Sequence, residues 1–266
     1  EEINKLEVLF YHGALGVCID IAHGHSKIII DLIIYLKNKY PTKQIIAGNV
    51  CTSIGYYDLV NAGADAVKIG IGPGAACTTR IVTGFGVPQF TAIYNISKYR
   101  ETLSNHLQVP IIADGGIRNS RDVALAIAAG ADTVMIGNLF SKTLESASPK
   151  YTIDQSNNII KLETIKQIYD NYNFKSKIMC HYRGQASKNF QNEYYGKIKS
   201  GTVAEGIDYY TESNGYVDQL YNQLNGGLRS ALTYSGSSNI NEFHKNAEFI
   251  EVTSNYMSES KPRDKQ

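Results

Sequence analysis

The chain has 266 residues, 43% hydrophobic and 19% charged, enough apolar sequence for one sizeable core and too much for a disordered chain. Lys plus Arg number 26 against 25 Asp plus Glu, and a net charge of +1 argues against binding nucleic acid through bulk electrostatics. Four cysteines (Cys18, Cys51, Cys77 and Cys180) without a CxxC pair exclude a disulfide scaffold and fit a reducing, cytoplasmic setting; the most apolar window, 28–36, is interrupted by Asp31 and is too short to cross a bilayer.

Short β-branched runs alternate with helical patterns through the first half. Predicted strands are Gly16–Asp20, Gln44–Gly48, Ala66–Ile71, Pro110–Ala113 and Thr133–Ile136. Each is a nearly continuous apolar run closed by Gly, Asp or Asn, the pattern of a strand buried on both faces. Ser26 is expected to cap a helix over Lys27–Lys39, where Ile28, Ile29, Leu32, Ile33 and Leu36 follow helical spacing. Ser120 or Asn119 is expected to cap Arg121–Ala129, which ends at Gly130. Strand and helix in alternation mean βα units on a parallel sheet. The triplet Gly-Ala-Asp recurs at Gly63–Asp65 and Gly130–Asp132, each time leading from a helix into a strand.

After Ser148 the texture changes. Residues 149–215 are rich in Tyr, Asn and Lys, the composition of a functional lid or a locally disordered excursion. A helical pattern returns at Val217–Tyr234, Glu248–Thr253 reads as one more strand, and Ser258–Gln266 is a charged, exposed end. The expected organisation is one α/β domain: residues 1–148 forming about five βα units, 149–215 an excursion with a flap, and 216–266 a final helix and tail.

The chemistry concentrates in Gly70–Arg80, which directly follows a predicted strand. Gly72, Pro73 and Gly74 force a turn, and the glycines let backbone approach a bound group. Cys77 follows beside Thr78, Thr79 and Arg80, and a thiolate is favoured where loop N–H groups and a cation surround it. The plain alternative is a small apolar cysteine in a turn, which is the reading preferred for Cys18, Cys51 and Cys180. Asp114-Gly115-Gly116 and Gly137-Asn138 close two successive strands, each before a helix, and suit a phosphate held by backbone N–H groups. His23-Gly24-His25 has no third ligand nearby, so a turn is preferred to a metal.

Together these motifs resemble the IMP dehydrogenase/GMP reductase family: Gly70–Gln89, Ile111–Gly137, Ile19–Ser26, Ala47–Val50, Tyr182–Gly184 and Gly226–Ser230 all carry the likeness. The resemblance spans nearly the whole chain apart from 149–179. It implies a (β/α)8 TIM barrel acting on a purine mononucleotide (GMP, IMP or XMP) with NADPH or NAD, and a homotetramer that binds neither nucleic acid nor membrane. Cys77 matches the nucleophile that attacks C2 of the base. Thr79 matches the threonine assisting the leaving group or water, and Glu205 the flap glutamate that takes part in proton transfer. Asp114, Gly116 and Gly137 match the phosphate cradle, with Asn138, Tyr182, Gly184 and Gln185 also on the nucleotide side. Asp20, Asn49 and Gly70 match positions on the cofactor side. The family's potassium site implies Gly72, Gly74 and Cys77, completed by Glu259, Ser260 and Lys261 of a neighbouring subunit.

There are departures. Ala75 and Asn138 stand where the family often has Ser, which removes two expected phosphate hydrogen bonds. If Gly16–Asp20 is the fourth barrel strand, the first three are absent, and without an initiator Met the chain is expected to be a fragment of a longer protein. Five strands alone cannot close a barrel. The flap equivalent, Gln185–Ala204, has Tyr194-Tyr195 but no arginine, whereas most dehydrogenases activate water with an Arg-Tyr pair. This favours GMP reductase. The tail Glu259-Ser260-Lys261 and the motifs Gly86–Gln89 and Ala22–Ser26 favour IMP dehydrogenase, and a non-catalytic nucleotide-binding relative is the third reading.

Overall fold

The computed structural model describes residues 2–154, 156–196, 201 and 203–260. In chain order the elements are α1 (Glu2–Tyr11), β1 (Gly16–Asp20), α2 (Lys27–Lys39), β2 (Gln44–Val50), α3 (Ser53–Asn61), β3 (Ala66–Ile69), α4 (Thr79–Thr83), α5 (Gln89–Arg100), β4 (Ile111–Asp114), α6 (Ser120–Ala128), β5 (Thr133–Met135) and α7 (Asn138–Ser141). There follow β6 (Lys150–Ile153), β7 (Ile159–Leu162), α8 (Ile165–Asn173), β8 (Ile178–Arg183), α9 (Lys188–Tyr195), β9 (Asp208–Glu212), α10 (Val217–Tyr234), α11 (Ile240–Asn246) and α12 (Tyr256–Glu259).

β1 to β5 form one parallel sheet in sequence order, as the alternation requires. Its two faces differ. Ile45, Ala47, Val67, Ile69, Ile111 and Ala113 are at most 1% exposed and pack under Ile33, Leu36, Leu59, Ile93, Ile96 and Ile127 of the crossover helices. The opposite face carries Cys18, Asp20, Lys68, Ile112, Asp114, Thr133 and Met135, of which Cys18, Asp20, Thr133 and Met135 are exposed. Five consecutive βα units on an open sheet are what the sequence pattern predicts; β1 and β5 are its edges and pair with no further strand among the described residues.

The repeated Gly-Ala-Asp triplet has a physical explanation. Asp65 takes the Ile45 N–H on its carboxylate at 2.6 Å and gives its own N–H to the Ile45 carbonyl at 2.8 Å; Lys37 Nζ donates to the same carboxylate. Asp132 repeats this with Ile111 (2.7 and 2.9 Å) and Arg100. Each aspartate thus clamps the start of the neighbouring strand, and the glycine before it adopts positive φ. Asp132→Ala is expected to cost about 2 kcal/mol, since it removes two charge-assisted hydrogen bonds at a partly exposed site. The urea midpoint should fall accordingly, and an unchanged midpoint would disprove the clamp.

Several expectations need correction. Ser26 occupies the N-cap of α2 but its side chain caps nothing; Asn119, not Ser120, caps α6 by accepting the Asp122 N–H. The run 248–253 forms no strand. One final helix was expected after residue 216, and three are present among the described residues. Among the described residues of 150–212 lies a four-stranded antiparallel sheet, β7-β6-β8-β9, with Leu144, Leu162, Ile168 and Ile178 as its own small core. α10 returns to the main domain and crosses α6 so closely that a Cβ on Gly227 would lie 2.2 Å from Ser120 Cβ. No described helix is long and apolar enough to cross a membrane.

Candidate active site

The loop leaving β3 begins with a tight contact: a Cβ on Gly70, at φ +144°, would stand 2.2 Å from the Asp114 carbonyl oxygen. From there the chain turns through Gly72 (φ +85°), Pro73 and Gly74. The Cys77 N–H donates to the Gly74 carbonyl at 3.0 Å, and the Cys77 thiol donates to Thr79 Oγ1 at 3.1 Å. Thr79 is buried at the first turn of α4, so its hydroxyl is fixed. Arg80 was expected beside the sulfur. Instead its guanidinium holds the Ile71 and Val87 carbonyls and wraps the glycines of the loop, a tie on loop shape.

The second half of the site comes from the antiparallel sheet. After residues 197–200 and 202, which lie outside the described set, Glu205–Ile207 passes between two segments. Thr78 N–H donates to the Glu205 carbonyl at 2.8 Å and Ile207 N–H to the Ala76 carbonyl at 2.9 Å. On the other side Gly206 pairs with Ser187, and Gly184 N–H donates to the Ile207 carbonyl at 3.1 Å. A Cβ on Gly206 would meet Ser187 N at 3.0 Å and the Ala76 carbonyl oxygen at 3.2 Å. The strand-like pairing brings Cys77 and Glu205 to one place although they are far apart in sequence.

Between these segments lies a cavity of about 320 Å³, within the size range of small-ligand pockets. Cys77, Thr79, Glu205, Tyr182, Gly184 and Gln185, all singled out from the sequence, line it. Ala22, Val203 and Gln191 line it too and carried no local signal; Gln191 is brought in by α9, which Ser187 caps.

The expected phosphate cradle adjoins the cavity without lining it. Gly115 and Gly116 both have positive φ, and a Cβ on either would press on Pro73 of the cysteine loop, at 3.1 and 3.4 Å. Gly137 lies against the Tyr182 hydroxyl, which a Cβ there would approach to 2.9 Å. Burial pushes the Tyr182 phenol above its ordinary value, keeping it a neutral donor. Asn138 is committed elsewhere: its Nδ2 donates to Tyr209 Oη at 3.0 Å.

Asp20, Asn49, Gly70 and Asp114 meet at a single point on the sheet, centred on a residue that sequence reading passed over. Lys68 Nζ donates to Asp20 Oδ1 at 2.8 Å and to Asp114 Oδ2 at 2.7 Å, and Asn49 Nδ2 donates to Gly70 O and Asp114 Oδ2. Burial alone would lower the Lys68 pKa, but the two carboxylates outweigh it and hold the ammonium above its ordinary value. Asn49 Oδ1 and Gln89 Oε1 are buried without a donor among the described residues. His25 pairs with Asp58 at 2.7 Å. In the tail, Glu259 closes α12 and Lys261 lies outside the described residues.

Comparisons with known proteins bear on the family and the fold. A family model described as IMP dehydrogenase / GMP reductase domain matches residues 1–263. The inosine-5'-monophosphate dehydrogenase of Chlorobaculum parvum (strain DSM 263 / NCIMB 8327) is 42% identical over 272 aligned positions, covering 98% of this chain and 50% of that protein. That of Borreliella burgdorferi is 43% identical over 269, covering 99% and 61%. A GMP reductase variant from Trypanosoma brucei, solved in complex with guanosine 5'-monophosphate, matches with a TM-score of 0.83 at 33% identity, over 99% of this chain and 50% of that one. The chain spans about half the length of most of the curated relatives it matches.

Proposed function

The chain belongs to the IMP dehydrogenase / GMP reductase family, and from that premise we propose that it is a GMP reductase, converting GMP, NADPH and two protons into IMP, NADP⁺ and ammonium. The reading rests on the cavity that joins Cys77, Thr79 and Glu205. Cys77 Sγ attacks C2 of the purine, its proton leaving toward Thr79 Oγ1. Glu205 then delivers a proton to the 2-amino group, which departs as ammonia. Gly116, Gly137 and the Tyr182 hydroxyl hold the 5'-phosphate. The nicotinamide cofactor, when bound, would supply the hydride to C2, after which the Cys77 sulfur leaves C2 and IMP is released. The residues present fit it: Asn49 Oδ1 is a buried acceptor lacking a donor, which a carboxamide N–H satisfies, and Asp20 presents a carboxylate at the neighbouring strand end. The homotetramer and a potassium ion at Gly72, Gly74 and Cys77 belong to the same reading.

The direction of reaction rests on Gln185–Ala204, which contains no arginine. Hydrolysing a covalent adduct needs a group that takes a proton from water, whereas expelling ammonia needs a donor, which Glu205 and Thr79 provide. IMP dehydrogenase is the second reading, favoured by the names of the relatives at 42% and 43% identity. In that case a flap lysine such as Lys188, at the start of α9, has to activate water. Absorbance at 340 nm decides between them. GMP-dependent NADPH oxidation with ammonia release is expected; conversion of IMP to XMP with NAD and no GMP-dependent oxidation would overturn the reductase assignment.

A further inference from the structure

From the cluster on the uncovered face of the sheet we infer that Lys68 is a positioning residue, a buried cation that holds the Asp20 and Asp114 carboxylates in place from between them. The inference rests on the functional reading above, in which Asp114 serves the nucleotide and Asp20 the cofactor.

β3 reads Ala66-Val67-Lys68-Ile69, and a lysine in a buried strand is costly unless paired. Lys68 is 2% exposed. Its stem has room because Gly48, its register partner on β2, has no side chain; a Cβ there would lie 2.7 Å from Lys68 Cβ. The ammonium then reaches Asp20 on β1 and Asp114 on β4, with Met135 Sδ of β5 at 3.6 Å, while Asn49 of β2 shares Asp114 Oδ2. Every strand of the parallel sheet contributes one residue to this point. The other titratable groups facing it are the Cys18 thiol, which feels Lys68 and both aspartates, and the Tyr182 phenol, which feels Asp114.

The buried Lys68 ammonium is enclosed by its carboxylate partners, so its effect on ligands passes through them. Two carboxylates and one ammonium leave the cluster with a charge of −1. Removing the lysine leaves −2, and the two like charges push each other out of position. Removing one aspartate charge as well restores −1 without restoring any contact made by the lysine. A purely structural lysine behaves differently: a second lesion in its neighbourhood only adds to the damage.

The test uses isothermal titration of full-length protein with GMP and with IMP, without cofactor, on wild type, Lys68→Met and the double variant Lys68→Met/Asp20→Asn. Lys68→Met is expected to weaken nucleotide binding at least about tenfold. The double variant is expected to bind at least about threefold tighter than Lys68→Met, since Asp114 no longer faces an uncompensated neighbour. Equal or weaker binding by the double variant overturns the inference, as does an undiminished affinity in Lys68→Met. Should Lys68→Met fail to fold, the double variant is expected to fold and bind, and a double variant that is also unfolded counts against the proposal. Wild-type protein that binds neither nucleotide overturns the functional reading itself, whereas normal wild-type binding without rescue overturns the role of Lys68 alone.

Discussion

Cys77→Ala is expected to lower kcat at least about 10⁴-fold while GMP and IMP still bind, because covalent catalysis has no route without the sulfur. The substitution removes one atom from a loop whose shape other groups fix. The residue 77 N–H keeps its bond to the Gly74 carbonyl, Arg80 keeps its hold on Ile71 and Val87, and the Thr78 N–H stays on Glu205 O. The lost thiol bond to Thr79 Oγ1 is weak, so the fold has little to lose. Steady-state rates beside nucleotide titration separate the two effects. More than about 1% residual turnover would remove Cys77 from the nucleophile's role, and loss of nucleotide binding would mean that the sulfur shapes the pocket instead.

Glu205→Gln is expected to lower kcat by about 10² to 10⁴-fold with a much smaller effect on nucleotide affinity. The backbone of residue 205, not its side chain, accepts the Thr78 N–H, so the stitch between flap end and cysteine loop survives the change. Glutamine preserves size and hydrogen-bonding capacity but has no proton to give the departing amine. A pre-steady-state measurement adds a check: the ammonia release that follows attack of Cys77 on GMP should be lost. Wild-type kcat in Glu205→Gln would assign proton delivery to another group, with Thr79 the next to replace.

The parallel half of the fold is legible because its strands are buried and read as unbroken apolar runs; Gln44–Val50 and Ile111–Asp114 are examples. The antiparallel half is not, since β8 spells Ile-Met-Cys-His-Tyr-Arg and β9 Asp-Tyr-Tyr-Thr-Glu, mixing polar and aromatic residues on half-exposed positions. The run 248–253 shows the converse error, a strand-like pattern that pairs with no strand among the described residues. Within the site, Cys77 and Thr79 are marked by their own glycine-rich turn. Glu205 has no such local mark and is found only through family resemblance. Lys68 was hidden because one polar residue in an apolar strand looks like noise until its two carboxylate partners are seen. Asn138, expected on the nucleotide side, is instead bonded to Tyr209 of β9, a contact that no local pattern encodes.

Gly206 is wedged between two stretches of backbone, 76–77 and 186–187. The chemical groups around it have near-isosteres: serine has the shape of Cys77 and glutamine that of Glu205. Gly206 has no such substitute, because even a methyl group would force the 184–187 segment away from the cysteine loop. The freedom of this site to vary is therefore narrowest at a residue with no reactive group, and divergence in its chemistry has to proceed around that spacer.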